Sequence, residues 1–131
     1  MDAMAKVFVV EDHAFMREML REYINQEEDL EVCETAESGE VALERLEQIT
    51  PDLVLIDLSL TGITGLDLIS RLKERHPGLQ CAILSGHGER RYVDQALAAG
   101  AQGYILKGDP DELPGAIRQM IQGQRYISNT L

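Results

Sequence analysis

Residues 53 to 60 read LVLIDLSL, and this stretch decides the fold class. The four apolar residues at 53–56 are typical of a strand that is buried on both faces, as in a parallel sheet. Asp57 follows directly and interrupts an apolar run that resumes at Leu58. Because a carboxylate among apolar neighbours is costly unless a cation compensates it, Asp57 is either a functional acid or an ordinary strand-end residue.

Four other apolar runs have the same character and predict strands at 6–10, 30–33, 81–84 and 103–106. Between the strands, apolar residues recur with helical spacing. The five predicted helical stripes consist of Phe15, Met16, Met19, Leu20, Tyr23 and Ile24; Val41, Ala42, Leu46 and Ile49; Leu66, Ile69 and Leu72; Tyr92, Val93, Ala96 and Leu97; and Leu113, Ala116, Ile117, Met120 and Ile121. Five alternating strand and helix units predict an α/β fold with a parallel sheet covered on both faces.

Turn-forming residues mark the predicted helix ends. Gly100 and Gly123 stand where the fourth and fifth helices should end. The sequence DPDE at 109–112 predicts an N-cap, a proline at the first helical position and a capping box for the fifth helix. Pro114 and Gly115 are unusual in the first turns of that helix, because proline lacks a donor and glycine is a poor helix former.

The composition predicts one compact domain spanning residues 1–131, with 44% apolar and 27% charged residues. The net charge of −11, without a clustered basic patch, argues against direct nucleic-acid binding and favours metal cations and basic protein surfaces. Cys33 and Cys81 form no Cys-x-x-Cys pair, so reduced thiols in a cytoplasmic protein are expected. No apolar run reaches the about 20 residues of a membrane span, and the run near the N-terminus is too short for a signal peptide.

Polar residues follow four of the five predicted strands. They are Glu11, Asp12, Asp57, Ser85 and Lys107. Each has an ordinary explanation as an acid at a helix start, a strand-end residue, a turn former or a solvated surface lysine. Because the sites of open α/β folds lie beyond the carboxyl ends of the strands, their conjunction instead predicts one site, provided that the first and third strands are neighbours.

Such a site requires a compensating cation. Two carboxylates about 4 Å apart repel by about 4 kcal/mol at an effective dielectric constant of about 20. Either the pKa values of the acids rise or a metal ion neutralises them. An all-oxygen site with few protein ligands fits Mg²⁺, and the chain lacks the loop pattern of an EF-hand calcium site.

At these residues the chain resembles the receiver domain of bacterial two-component response regulators, from residue 6 to about residue 128. The matching stretches are VEDH at 10–13, LVLIDLSL at 53–60, Gly62 and Gly65, LSGH at 84–87, and GYILK at 103–107. The ending from 113 to 128 is similar to the NarL/LuxR type, whose receivers usually precede a helix-turn-helix DNA-binding domain. The family implies a flavodoxin-like (βα)5 doubly wound sheet with the strand order 2-1-3-4-5.

The resemblance implies that a sensor histidine kinase, or a phosphotransfer protein, donates a phosphoryl group to Asp57 in a Mg²⁺-dependent reaction. Lys107 and Ser85 would bind the phosphoryl oxygens. The implied Mg²⁺ ligands are Asp12 directly, Glu11 through water, Asp57, and the carbonyl oxygen of Ser59.

Tyr104 is implied to be an aromatic switch. Ser85 would move toward the phosphoryl group and vacate room into which Tyr104 turns, which would alter the face formed by helix four, strand five and helix five. The alternative is a half-buried strand tyrosine with its hydroxyl in water. Ser59 and His87 flank the site and would influence the hydrolysis of the acyl phosphate.

Several positions depart from the family pattern. Thr61 and Gly108 stand where the family commonly has prolines, so the loop containing Thr61 is expected to be less rigid. The three histidines, His13, His76 and His87, are scattered along the chain, and we interpret them as local residues rather than as phosphotransfer residues.

Three functions remain open from the sequence: a phosphorylatable receiver that controls an output such as transcription, a degenerate receiver acting as a constitutive protein-interaction module, and a flavodoxin-like cofactor-binding or Mg²⁺-dependent phosphatase domain. The retained Asp57 and Lys107 argue against the second function. Glu11 and Asp12 would repel the phosphate of FMN, and Ser59 stands where aspartyl-phosphate phosphatases have a second acid.

The expected partners follow from the first function. The chain would promote its own phosphorylation and dephosphorylation, and would not act as a turnover enzyme on a separate substrate. The chain is expected to be able to form a homodimer. DNA would be contacted only through a helix-turn-helix domain beyond Leu131, and no membrane contact is expected.

Overall fold

The computed structural model describes residues 4–108, 110–128 and 131. Strands and helices alternate along this part of the chain. The strands are β1 (Ala5–Val10), β2 (Leu30–Ala36), β3 (Leu53–Asp57), β4 (Cys81–Ser85), β5 (Gly103–Leu106) and β6 (Tyr126–Ile127). The helices are α1 (Ala14–Asn25), α2 (Gly39–Arg45), α3 (Gly65–Arg75), α4 (Arg90–Ala99) and α5 (Leu113–Ile121), with a 3₁₀ turn at Pro110–Glu112.

The strands form one parallel sheet in the order β2-β1-β3-β4-β5-β6. The predicted α/β class and the strand order 2-1-3-4-5 are therefore confirmed, and β6 extends the sheet at one end. In the direct pairing of β1 with β3, Val10 lies opposite Ile56, so the residues that follow the two strands are brought side by side.

The strands contribute side chains to two cores, one on each face of the sheet. Val7 and Val9 face one core while Phe8 and Val10 face the other, because successive strand residues point to opposite faces. Helices α1 and α5 close the first core, and α2, α3 and α4 close the second. This double cover explains why β3 and β4 are buried along their whole length and are almost entirely apolar.

The predicted start of the fifth helix was wrong. Helix α5 begins at Leu113 with Pro114 in its first turn, and Pro110 lies in the preceding 3₁₀ turn. Proline is tolerated in the first helical turn, where its missing N–H loses no partner, so a helix containing Pro114 has to begin just before it. The predicted N-cap, Asp109, lies outside the described residues.

Two other helix ends test the turn predictions. Gly100 ends α4 as predicted, in a left-handed conformation with φ of +112°. Helix α2 is shorter than predicted, since it ends at Arg45 with Leu46 as its C-cap, so Ile49 lies beyond it. Apolar residues continue at helical spacing beyond the end of α2, because Leu46 and Ile49 pack on the same core from the following turn.

The two cysteines are free thiols, as predicted. Cys81 is buried in β4, and this burial raises its pKa to about 12. Cys33 is half-buried in β2, and burial raises its pKa as well. Across residues 4–108, 110–128 and 131, no helix combines the length and the apolar character needed to cross a membrane.

Candidate functional site

Four side chains with potential metal ligands meet where β1 and β3 end. Glu11, Asp12 and His13 form the loop between β1 and α1, and Asp57 is the last residue of β3. One ligand atom from each of these residues lies within 4.8 Å of the others. The three predicted acids therefore converge, because β1 and β3 pair directly. Together with Lys107, we call this cluster the acidic edge.

Lys107 joins the acidic edge through its ammonium group. Its Nζ lies 3.1 Å from Oε1 of Glu11 and 3.3 Å from Oδ1 of Asp57. Partial burial disfavours the charged ammonium, but the hydrogen bond to Glu11 and the charge of Asp57 outweigh it, so the pKa of Lys107 is raised. The ammonium is a stable positive charge shared by two carboxylates.

Glu11 is fully buried, which is rare for an ionisable side chain. Burial and the neighbouring carboxyl group of Asp57 raise its pKa, although the N–H of His13 and the ammonium of Lys107 act in the opposite direction. The His13 N–H donates to Oε2 of Glu11 at 3.2 Å. Burial is the largest of these effects, so the raised pKa of Glu11 reflects mainly the removal of its carboxylate from water.

The two carboxylate oxygens of Asp57 have different surroundings. Oδ1 accepts a hydrogen bond from the N–H of Ser59 at 3.1 Å and faces Lys107. Oδ2 is buried and has no hydrogen-bond partner in the described part of the chain. A buried oxygen without a donor, close to the carboxylate of Asp12, fits a hard divalent cation such as Mg²⁺. The carbonyl oxygen of Ser59 stays a predicted ligand.

The start of α3 packs tightly against the end of β3. A Cβ atom on Gly65 would lie 2.6 Å from the carbonyl oxygen of Asp57 and 3.0 Å from Cα of Leu58. Thr64 caps the same helix through its hydroxyl group. Glycine at this position lets α3 begin directly against the strand that carries Asp57, which fixes the loop between them.

Ser85 and Tyr104 lie beside the acidic edge on β4 and β5. Ser85 is buried, and its Oγ accepts a hydrogen bond from the N–H of His87 at 2.9 Å. The backbone N–H of Lys107 donates to the carbonyl of Ser85 at 2.8 Å, which ties the lysine to β4.

Tyr104 is fully buried, and its hydroxyl donates to the carbonyl oxygen of His87 at 2.6 Å. Burial raises the pKa of this hydroxyl, while the hydroxyl of Ser85 partly offsets the effect. The alternative of a half-buried tyrosine with its hydroxyl in water is therefore wrong. The predicted movement of Tyr104 on phosphorylation stays a prediction.

The three histidines lie in separate places. His87 follows β4 and packs with its ring centroid 5.0 Å from that of Tyr92, and His76 ends α3. His13 is exposed but belongs to the acidic edge more closely than expected, because its Nδ1 lies 3.1 Å from Oδ1 of Asp12. The sequence indicated its neighbourhood but not this distance.

Two residues near the site, Arg17 and Ser128, were missed by the sequence analysis. Arg17 on α1 donates from Nη1 to the carbonyl oxygen of Glu11 at 2.9 Å. Ser128 accepts a hydrogen bond from the N–H of Leu106 at 2.9 Å and donates to the carboxylate of Glu112. The contacts of Arg17 with Glu11 and of Ser128 with Leu106 have no sequence signal, because they involve backbone groups. We call β5, β6 and Ser128 the C-terminal edge.

Residues 7–118 match the family model of the response regulator receiver domain. The chain is 36% identical over 128 residues to the oxygen regulatory protein NreC of Staphylococcus epidermidis, which covers 96% of this chain and 59% of that protein. It is 33% identical over 123 residues to the transcriptional regulatory protein DegU of Brevibacillus brevis, which covers 93% of this chain and 52% of that protein. The chain thus spans a little over half the length of these relatives.

A solved structure shares the same fold. The two-component response regulator of the LuxR family from Aurantimonas sp. SI85-9A1 matches with a TM-score of 0.94 at 29% identity, covering 98% of this chain and 92% of that chain. The sequence match includes the carboxyl ends of the strands that lead to the acidic edge. Sequence and fold agree: the chain belongs to the response regulator receiver domain family, and its similarity is to regulators of the NarL/LuxR type.

Proposed function

We propose that this chain accepts a phosphoryl group on Asp57 from a sensor histidine kinase, or from a phosphotransfer protein, in a Mg²⁺-dependent reaction. The observation that carries the proposal is the buried Oδ2 of Asp57, which lacks a hydrogen-bond partner among the described residues although its carboxylate faces Lys107. Natural proteins rarely leave such an oxygen unpaired unless it has a ligand or a reaction to perform.

The proposed reaction transfers a phosphoryl group to a carboxylate oxygen of Asp57. A carboxylate oxygen attacks phosphorus in line, the new O–P bond forms as the P–N bond to the donor histidine breaks, and the leaving imidazole takes up a proton. Lys107 balances the negative charge of the phosphoryl oxygens, and Ser85 supplies a hydroxyl donor. Bound Mg²⁺ supplies further charge neutralisation at the transferred group. The residues that would hold it are Asp12, Asp57, the carbonyl of Ser59 and, through water, Glu11.

Hydrolysis of the acyl phosphate reverses the phosphorylation of Asp57. Water attacks phosphorus, inorganic phosphate leaves, and the carboxylate of Asp57 is restored. Ser59 and His87 flank the site and influence the access of that water. The chain therefore works on its own aspartyl group as a signalling switch, rather than on a separate substrate in turnover.

The switch acts through Ser85 and Tyr104. The hydroxyl of Ser85 is bound to the N–H of His87, so its reorientation toward a phosphoryl group would release this loop. Tyr104 holds the carbonyl of His87 and would respond to the change. The face formed by α4, β5 and α5 would then differ between the two states, with β6 as part of it.

In the whole protein we propose a transcriptional output in the cytoplasm. The relatives are regulatory proteins that extend well beyond the matched region, which supports a receiver at residues 1–131 joined to a separate output domain. DNA would be contacted by a helix-turn-helix domain beyond Leu131, and homodimerisation would depend on the phosphorylated state. The buried Glu11 and the partly exposed Asp12 follow β1, where an FMN phosphate would have to bind, and their negative charges argue against a cofactor-binding function.

Intact-mass spectrometry after incubation with acetyl phosphate tests this function. With Mg²⁺, the protein should gain one phosphoryl group, and it should gain none without metal or in Asp57→Asn. Asp94→Asn, which alters an exposed acid of α4, is the matched control and should be labelled like the parent. Labelling that persists in Asp57→Asn would contradict the assignment of the phosphoacceptor.

A further inference from the structure

Arg17 makes an unusual contact for a charged side chain near an acidic cluster. It lies half-buried on α1, and its guanidinium donates to the backbone carbonyl oxygen of Glu11 at 2.9 Å. Within residues 4–108, 110–128 and 131, no carboxylate lies at ion-pair distance from it, so its charge is not cancelled by a partner.

The carbonyl that Arg17 holds belongs to the peptide group between Glu11 and Asp12. This peptide group is planar, so fixing the direction of its C=O also fixes the direction in which the Asp12 backbone leaves it. The other side of Glu11 is already held, because its N–H donates to the carbonyl of Ala36 at 3.0 Å. Arg17 therefore completes the anchoring of the residue that joins β1 to the loop.

Asp12 depends on this anchoring because little else holds its side chain. Its Oδ1 is buried without a hydrogen-bond partner in the described residues, and the nearby Nδ1 of the exposed His13 lies 3.1 Å away. The direction of the Asp12 carboxylate is thus set by the backbone of the loop. A change in the Glu11 carbonyl would move a proposed metal ligand.

We propose that Arg17 is a positioning residue for the metal-binding carboxylates, acting through the carbonyl of Glu11. The inference rests on the proposed function, since it requires a divalent cation at the acidic edge. Arg17 touches neither that cation nor the phosphoryl group. It aims Asp12 and Glu11 at one point by closing the loop between β1 and α1.

A purely electrostatic role predicts the opposite sign. An uncompensated guanidinium close to a cation site repels the cation, so removing its charge would tighten metal binding. Removing an anchor would weaken metal binding, because the carboxylates would have to be ordered at the moment of association. The direction of the change in affinity therefore separates the two roles.

Isothermal titration calorimetry with Mg²⁺ and with Mn²⁺ is the test, on the parent protein, Arg17→Met, Arg17→Lys and Arg21→Met. Arg17→Met should bind both ions about tenfold more weakly, which corresponds to the loss of about 1.4 kcal/mol. Arg17→Lys keeps the charge and one donor, and should recover part of the loss. Arg21→Met removes an equal charge from an exposed position on the same helix, and should bind within twofold of the parent.

Phosphorylation by acetyl phosphate gives a second readout. At saturating Mg²⁺ the rate of Arg17→Met should return to within twofold of the parent, because excess metal compensates for a misdirected ligand. Equal or tighter metal binding by Arg17→Met would overturn the proposal. If that variant does not fold, Arg17→Gln, which also removes the charge, takes its place, and equal or tighter metal binding by Arg17→Gln would overturn the proposal. A parent protein that binds neither ion would refute the proposed metal site and, with it, the role of Arg17 in positioning metal ligands. A parent that binds both ions, together with an Arg17→Met variant that binds them equally well, would refute only the role of Arg17.

Discussion

The acidic edge and the C-terminal edge lie at two places on the same sheet and differ in whether their polar groups have hydrogen-bond partners. The acidic edge brings together charged side chains, and a buried oxygen of Asp57 has no donor there among the described residues. At the C-terminal edge, Ser128 binds Leu106 and Glu112 through its hydroxyl and Tyr104 through its backbone. One region leaves polar groups unpaired while the other pairs them.

The difference teaches which region serves the fold and which serves a reaction. Unpaired or like-charged buried groups lower the stability of the metal-free protein, so they persist only where function requires them. Paired groups at a sheet edge stabilise the fold and protect an otherwise open strand. Substitutions should therefore have different consequences in the two regions.

Alanine substitutions at two closely packed glycines should produce the largest effects. Gly65→Ala should lower the free energy of unfolding by about 3 kcal/mol, because its Cβ would meet backbone atoms that cannot turn away. Gly103→Ala should cost about 1–2 kcal/mol, because its Cβ would meet the carbonyl of Tyr126 in a two-residue strand and the flexible side chain of Met120. Chemical denaturation without metal measures both.

Gly115→Ala is the control for these substitutions. Its Cβ would enter open space in α5, so alanine should stabilise the protein by up to about 1 kcal/mol through helix propensity. If Gly103→Ala costs as much as Gly65→Ala, the C-terminal edge is as rigid as the acidic edge, and the contrast in packing between the regions is wrong.

Ser128→Ala should have a smaller effect than Gly65→Ala and an effect of the same size as Gly103→Ala. Loss of the buried hydroxyl leaves the N–H of Leu106 without its acceptor and the carboxylate of Glu112 without a donor, at a cost of about 1–2 kcal/mol. The backbone amide of Leu106 should exchange its hydrogen faster, while the rate of phosphorylation of Asp57 should stay within twofold of the parent rate. Ser70→Ala, at an exposed position of α3, should leave exchange at Leu106 unchanged. A slower phosphorylation rate in Ser128→Ala would show that the two regions are not separate.

Tyr104→Phe should have the smallest effect on stability, about 1 kcal/mol, because it removes one hydrogen bond without a change in shape. The amides of residues 86–89 should exchange faster, since the hydroxyl no longer holds the carbonyl of His87. Phosphorylation should be retained. Unchanged exchange in this loop would remove the hydrogen bond from the switch and leave Tyr104 as a core residue of β5.

The acidic edge could be predicted from the sequence because its information lies in residue types at strand ends. The apolar run before Asp57 identified the strand. The strand order implied by the family resemblance made β1 and β3 neighbours, and the acids that follow these strands were therefore expected to meet. The C-terminal edge could not be predicted in the same way. Strand β6 has two residues, too few to show a period. The hydrogen bonds between Ser128 and Leu106 and between Arg17 and Glu11 involve backbone groups, which every residue possesses.

The start of α5 was mispredicted for a related reason. Two prolines, Pro110 and Pro114, offered the same local signal for a helix start. Proline is not tolerated in the interior of a helix, and a start at Pro110 would have placed Pro114 there. The helix therefore begins just before the second proline. The capping signals at 109–112 thus had to be interpreted together with the position of Pro114.

The unequal thiols of the sheet give the protein two native chemical labels. Cys33 on β2 and Cys81 on β4 flank the central pair of strands, and the chain has no tryptophan to report on that region optically. An alkylating reagent should modify Cys33 during small fluctuations, whereas Cys81 requires the central sheet to open. The ratio of the two modification rates measures breathing of the strands behind Asp57 without any introduced probe.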